Sequence, residues 1–333
     1  MRLRTSVLSV LLALTFAPPA GAQQVTASDY APVVRDPAFA LGAGPIVLVD
    51  ESHNNFHTVS PTRIPDSTHE GYITIPGRLG AFRDLLTADG YRVRPVTEGF
   101  SAQVLSHGSI LVISNALADA NVDDWGLPNP SAFEPEEITA VVDWVRDGGA
   151  LLLIADHQPW PAAAGDLALS LGLILNNGYA SIGDPSADRQ SFTRADDSLR
   201  DHPIVRGRSE AEAIRSVMTF GGQAFRPAPG AEVEPLLVFP LGSVLVMLQD
   251  PFGPEPDLER VPNIRVDGML QGAVLRVGQG RVAVFGEAAM FTAQVTGPER
   301  RPMGLNHPGA AENAQFVLNV MHWLSGLLPD ASQ

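Results

Sequence analysis

Asp50-Glu51-Ser52-His53-Asn54-Asn55-Phe56-His57 places two carboxylates, two imidazoles and two amides within eight residues. Groups of these types at this density suit metal ligation, proton transfer or recognition of a polar ligand. The stretch follows Pro45-Ile46-Val47-Leu48-Val49, an apolar run that predicts a fully buried parallel strand. Two later runs end similarly. Leu151-Leu152-Leu153-Ile154-Ala155 runs into Asp156-His157, and Val282-Ala283-Val284-Phe285 runs into Gly286-Glu287. In open α/β sheets ligands bind in the crevice outside the C-terminal strand ends, so these three segments define the candidate site.

Asp50 or Glu51, Asp156 and Glu287 would repel one another if they met. Two carboxylates ~4 Å apart cost about 4 kcal/mol at an effective dielectric near 20. Such a cluster needs a proton, an arginine, a protonated histidine or a metal ion. His53, His57, His157 and His307 lie in the segments that would join it. A set of His53, His57 and Asp156 suits zinc, manganese or iron, so a divalent metal is a candidate cofactor. Hydrolysis by metal-activated water would then be the natural chemistry. Asp156, His157 and Glu287 are the candidate catalytic groups. Asp50, Glu51, Asn54, Asn55 and His307 are the candidate ligand-binding groups.

Each of these residues also has a structural reading. Ligand pairs at the His53-x-x-x-His57 spacing work on a helix, whereas Asn54-Asn55 predict a turn. The zincin motif requires Glu after its first histidine, and Asn54 stands there. Asp156 could cap the following helix with His157 stacked on Trp160, and Glu287 could cap Ala288 to Phe291. Asn306 or His307 could cap the last helix, with Asn306 preferred. Arg63 and Arg78 could hold an anionic substrate or neutralise the carboxylates, but both are expected at the surface. His69, His107, His202 and His322 stand apart from the strand ends. Ser52 and Ser114 lack a Gly-x-Ser-x-Gly context.

Composition removes whole classes of chemistry. The 333 residues include no cysteine and no lysine. Thiol nucleophiles, thiolate metal ligands, disulfides, Schiff bases and a Walker-type phosphate loop are therefore excluded. A net charge of −15 and a pI near 4.8 disfavour nucleic acid and anionic membrane surfaces. A small polar ligand or an envelope component remains as the expected partner.

At the N-terminus, Arg2 and Arg4 precede the apolar stretch Val7 to Phe16, Pro18-Pro19 and Ala20-Gly21-Ala22. This order predicts a secretory signal over residues 1–22, with the mature chain starting at Gln23. The apolar stretch is too short to span a bilayer comfortably. A periplasmic or secreted product, without stable membrane insertion after cleavage, is expected.

Residues 23–44 read as an irregular arm, and 45–328 as one α/β domain. The segment Pro76 to Ala88 predicts a helix with Leu79, Phe82, Leu85 and Leu86 inward, stopped by Gly90. Tyr91 to Val96 and Ser109 to Ser114 predict strands. Pro135, set among Glu134, Glu136 and Glu137, opens a helix that Gly148-Gly149 close. A strand over Ala150 to Ala155 and a helix over Ala162 to Leu171 follow. Loop insertions are expected near 176–215 and 250–270. Strand patterns return at Val217 to Phe220, Leu236 to Phe239 and Val244 to Leu248. Ala273 to Val277 and Arg281 to Phe285 predict a hairpin, and Pro308 to Leu327 a final helix. The alternation predicts a three-layer α/β sandwich with a mixed sheet.

The order of these segments resembles the class I glutamine amidotransferase-like superfamily. Within it, the chain is most similar to the bacterial branch near the GldG-type and intraflagellar-transport N-terminal domains. The resemblance rests on Ile46 to Asn55, Glu136 to Leu152, Asp156-His157-Gln158-Pro159, Asp201-His202-Pro203-Ile204 and Gly280 to Glu287. It implies a flavodoxin-like, mostly parallel sheet with added antiparallel strands. The superfamily's catalytic cysteine belongs at the strand end where Ala155-Asp156-His157 stands, so glutamine hydrolysis by that mechanism is excluded. The expectation is an exported protein binding a polar ligand, of carbohydrate or cell-envelope type, in a strand-end pocket. A metal-dependent hydrolase at the same pocket and an envelope interaction scaffold are the alternatives.

Overall fold

The apolar runs pair side by side at the centre of the molecule. A computed structural model describes residues 25–27, 29–65, 72–183, 189–249, 251 and 261–331. Strands β1 (Ile46–Asp50), β2 (Arg92–Val96), β3 (Ile110–Ser114), β4 (Ala150–Ile154) and β9 (Gly280–Phe285) form a parallel block ordered β2-β1-β3-β4-β9. This is the flavodoxin-like order. Four more strands extend it: β5 (Leu173–Leu175), β6 (Phe225–Pro227), β7 (Glu234–Val238) and β8 (Leu270–Val277). The hairpin between β8 and β9 reverses the direction, and β8 carries β6 and β7 antiparallel, with β5 beyond β6.

Strand alternation divides the core into two layers. Val47, Val49, Val112, Leu152 and Phe285 face helices α1 (Gly80–Ala88) and α3 (Asn313–Leu324), packing on Phe82, Leu85, Phe316 and Trp323. Leu48, Leu111, Ile113, Leu153 and Val284 face α2 (Pro135–Arg146), packing on Val141, Val145 and Leu167. The expected three-layer sandwich is the observed one.

Several element bounds differ from expectation. Helix α1 begins at Gly80, because Leu79 N–H bonds to the Thr58 carbonyl at 2.9 Å and holds the preceding residues to the first loop. The helix expected over Ala162 to Leu171 is two short ones, Trp160–Ala163 and Gly165–Ser170, broken at Ala164. The final helix starts at Asn313, preceded by a 3-10 turn at Pro308–Ala310. Within the first expected insertion lie the strands Tyr179–Ser181 and Gln190–Thr193 and the short helix Pro203–Arg206. The signal segment 1–22, His69 and much of the second insertion lie outside the described residues. In the arm, Val25–Thr26 pairs with Ala293–Thr296, and Phe39 packs edge-on against Tyr91. Among the described residues no helix is long and apolar enough to cross a membrane.

Candidate strand-end site

The polar burst after β1 is mostly occupied in folding its own loop. Asp50 is fully buried. Its Oδ1 accepts from Ser52 N–H and Oγ–H at 3.1 and 2.8 Å, and its Oδ2 accepts from Asn55 Nδ2 at 3.0 Å. Both oxygens lie 3.0 Å from His53 Nδ1, while His53 Nε2 lies 3.1 Å from Glu137 Oε1. Burial opposes a charge on His53, but Asp50 and Glu137 outweigh it and its pKa is raised. Glu137 is itself held by the N–H groups of Glu134 and Phe100 at 3.0 and 2.9 Å. Glu51 accepts from Val59 and Ser60 N–H at 2.7 and 2.8 Å. Asn54, at φ +48°, donates to Asp119 Oδ1 and the Leu117 carbonyl.

A second group forms where β3, β4 and β9 end. Asn115 follows β3 at φ +49°, a backbone region that asparagine tolerates better than most residues. Its Oδ1 accepts from Asp156 N–H at 3.0 Å, and its Nδ2 lies 3.3 Å from His57 Nδ1. Asp156 accepts from His157 N–H at 2.8 Å and Ala288 N–H at 3.3 Å. Glu287, fully buried, accepts from Ala289 and Met290 N–H at 2.6 and 2.9 Å, capping the turn Ala289–Phe291. Burial pushes both acids up, and the neighbouring Asp156 charge pushes Glu287 further, to well above the usual carboxylate range. His57 is driven well below the ordinary imidazole range by burial and then by Arg78 and His157. Tyr179 stacks on His157 at 4.5 Å, and burial followed by Asp156 raises its hydroxyl pKa.

Beside the first of these groups a pocket of about 190 Å³ opens, lined by Asn54, Asn55, Phe56, Thr58, Ile75, Pro76, Arg78, Leu117 and Val122. It lies outside the ends of β1 and β3, where the strand order reverses. Arg78 is not the surface residue expected. Its guanidinium carbon sits 4.0 Å over the Phe56 ring, Nη1 donates to the Phe56 carbonyl at 3.4 Å, and burial lowers its pKa to about 10. Phe56 continues into an aromatic wall, with Trp160 at 5.3 Å, Trp125 at 5.6 Å and His157 tilted rather than stacked 4.8 Å from Trp160.

The predicted residues thus divide. Asp156 meets Glu287, and His57 feels both Arg78 and His157. Asp50, Glu51 and His53 instead hold the loop backbone and its link to α2, while Asn54 and Asn55 both brace the loop and line the pocket. The metal set His53, His57 and Asp156 is not assembled: among the described residues no three His, Asp or Glu side chains are arranged to hold an ion. Both nitrogens of His53 face carboxylates, and the His57 Nδ1 lone pair faces an amide donor. Neither Asn306 nor His307 caps the last helix, which follows Glu312; His307 caps the turn Pro308–Ala310 before it. Its Nδ1 accepts from Gly309 N–H at 3.0 Å, its Nε2 lies 3.1 Å from Arg189 Nη1, and Asn306 bonds to the Gln294 carbonyl.

Sequence reasoning missed Asn115, Glu137, Tyr179 and Trp125. Asn115 was within reach, because it directly follows the apolar run ending at Ser114 and falls under the same strand-end rule. Tyr179 and Trp125 lie in irregular segments with no periodicity to place them.

No protein-family model and no curated protein matches the chain. Among solved structures, the mmIFT52 N-terminal domain superposes with a TM-score of 0.53 at 11% identity, over 84% of this chain and 97% of that one. A ThuA-like protein from Bacteroides uniformis aligns at TM-score 0.45 and 12% identity, covering 88% and 94%. Cytoplasmic protein STM3548 from Salmonella typhimurium aligns at 0.42 and 13%, covering 84% and 98%. The first likeness shows a shared fold and nothing finer.

Proposed function

We propose that this chain is an exported protein of amidotransferase-like fold that binds a polar small molecule at the strand ends and performs no cysteine-dependent glutamine chemistry. One observation carries the reading. The pocket at the reversal of strand order combines amides from Asn54 and Asn55, a guanidinium from Arg78 and the ring of Phe56. Amides and an aromatic face together suit a hydroxylated ligand such as a cell-envelope fragment. The arginine-bearing, apolar, proline-broken N-terminus supports export.

The test is a thermal-shift panel on the mature chain from Gln23, using polar metabolites, sugars and envelope fragments. Val122→Trp, which fills the pocket from its rim, is the control. A compound that raises the Tm of wild type but not of Val122→Trp supports the reading. No compound behaving so across the panel overturns it. Release of glutamate from glutamine would overturn the second half.

A further inference from the structure

The start of the N-terminal arm touches both parts of the strand-end region. Val25–Thr26 pairs antiparallel with Ala293–Thr296, Val25 opposite Val295 and Thr26 opposite Gln294. Ala27 N–H extends the pairing to the Ala293 carbonyl at 2.9 Å. That partner strand comes one residue after the turn Ala289–Phe291, which Glu287 caps. The Thr26 hydroxyl also donates to the Pro76 carbonyl at 3.0 Å, and Pro76 lines the pocket. One two-residue strand therefore joins the pocket wall to the Glu287 turn.

That wall is closely packed. A Cβ on Gly77 would lie 2.3 Å from the Thr58 carbonyl oxygen and 2.5 Å from that of Ser60. Leu79 N–H bonds to the same Thr58 carbonyl at 2.9 Å, and Thr58 lines the pocket as well. Pro76 and Thr58 thus belong to two chain segments in backbone contact, so a displacement of one carries the other.

The far end of the arm is anchored in the core. Asp89 and His322 are fully buried. Asp89 Oδ1 accepts from Ala38 N–H at 2.8 Å, and Oδ2 lies 2.7 Å from His322 Nε2 on α3. Phe39 N–H bonds to the Asp89 carbonyl at 3.2 Å, and a Cβ on Gly90 would lie 2.5 Å from the Phe39 carbonyl oxygen. Between the two anchors Val33 is 79% exposed. The anchors are unequal. Opening the far one would break a buried hydrogen-bonded pair, whereas a two-residue strand opens at small cost.

We infer that the N-terminal arm is a strap that regulates the pocket. Docking of Val25 to Ala27 holds the Pro76 and Thr58 wall in place, and undocking loosens it. This rests on the proposed function and adds its regulation. Docking and ligand binding then favour each other by the same factor, because linkage is reciprocal.

The experiment is hydrogen exchange read by mass spectrometry on the mature chain from Gln23, with no ligand present. Ala27 is 6% exposed and does not line the pocket, so Ala27→Glu undocks the strand from outside the site. Thr26→Val keeps the shape of the side chain and removes only the hydroxyl. The amides of Leu79 and Gly80 should exchange at least tenfold faster in Ala27→Glu and roughly fivefold faster in Thr26→Val. Those of the central strand Ile110–Ser114 should keep their wild-type rates.

Faster exchange at Leu79 and Gly80 with Ile110–Ser114 unchanged, in either variant, supports the inference. If neither variant shows that pattern, the inference is overturned and the arm contributes packing alone. A failed thermal-shift panel removes the ligand reading but does not alter the exchange pattern, so the two failures are distinguishable.

Discussion

His53 Nε2 lies 3.1 Å from Glu137 Oε1, joining the loop after β1 to the first turn of α2. The other ring nitrogen meets Asp50, so two carboxylates favour the charged imidazole and its pKa is raised, although burial opposes the charge. A histidine whose folded pKa lies above its unfolded value near 6.5 contributes fully below that value. The contribution fades as pH rises through the folded pKa. His53→Ala should therefore cost about 3 kcal/mol at pH 5.5 and clearly less at pH 9. Urea denaturation at the two pH values measures this, and an equal cost at both would mean that His53 acts through packing alone.

His202 has the opposite sign. It is buried, its Nδ1 accepts from Ile204 N–H at 3.1 Å at the start of the helix Pro203–Arg206, and burial followed by Arg206 lowers its pKa to about 4. A depressed histidine stabilises fully above the unfolded value near 6.5, and that stability drains away as pH falls toward 4. Its share of the loss should be about 2–3 kcal/mol. His202→Asn keeps an acceptor for the cap and cannot titrate, so it should flatten the fall in urea midpoint between pH 7 and 4. An unchanged slope would assign the acid sensitivity elsewhere.

Asp156 and Glu287 give a third pH signature. Carboxylates raised in the folded state stabilise below their unfolded values near 4, and the contribution is lost as pH rises through the folded values. Asp156→Asn removes one charge of the pair but sets an NH₂ against a backbone donor, of His157 or Ala288. It should cost about 1–2 kcal/mol at pH 4.5. The gap to wild type should narrow, or close, by pH 8. A gap that widens with pH would show that the two acids are not coupled.

The layers and the sheet order were legible because buried parallel strands are written as uninterrupted apolar runs, as in Leu151 to Ala155. The strand-end rule brought polar residues of three segments to one end of the sheet for the same reason. It did not separate roles within the polar burst. Asp50 and Glu51 are adjacent carboxylates of identical chemistry, yet one anchors His53 and the other holds Val59 and Ser60. What divides them is which backbone donors the loop turns inward, and that depends on contacts with β3 and α2 far away in sequence. Arg78 was misplaced because a long side chain in a loop carries no periodic signal; only its stacking on Phe56 reveals that it lines a pocket.

Gly222 allows the backbone to pass close to Glu287, and this predicts a sharp contrast with its neighbour. A Cβ on Gly222 would lie 2.2 Å from the Gly286 carbonyl oxygen and 2.9 Å from Glu287 Cβ, at φ +101°. The approach is fixed by the next residue, whose N–H bonds to that same carbonyl at 2.7 Å. Gly221, at φ +98°, has open space where its Cβ would go. Gly221→Ala should therefore cost only backbone strain, about 1–2 kcal/mol. Gly222→Ala adds a backbone clash that no rotamer can relieve and should cost about 4 kcal/mol or more. Paired denaturation curves separate the two terms. Equal costs would mean that the strand ends can part without penalty, and that Glu287 is not held rigidly against them.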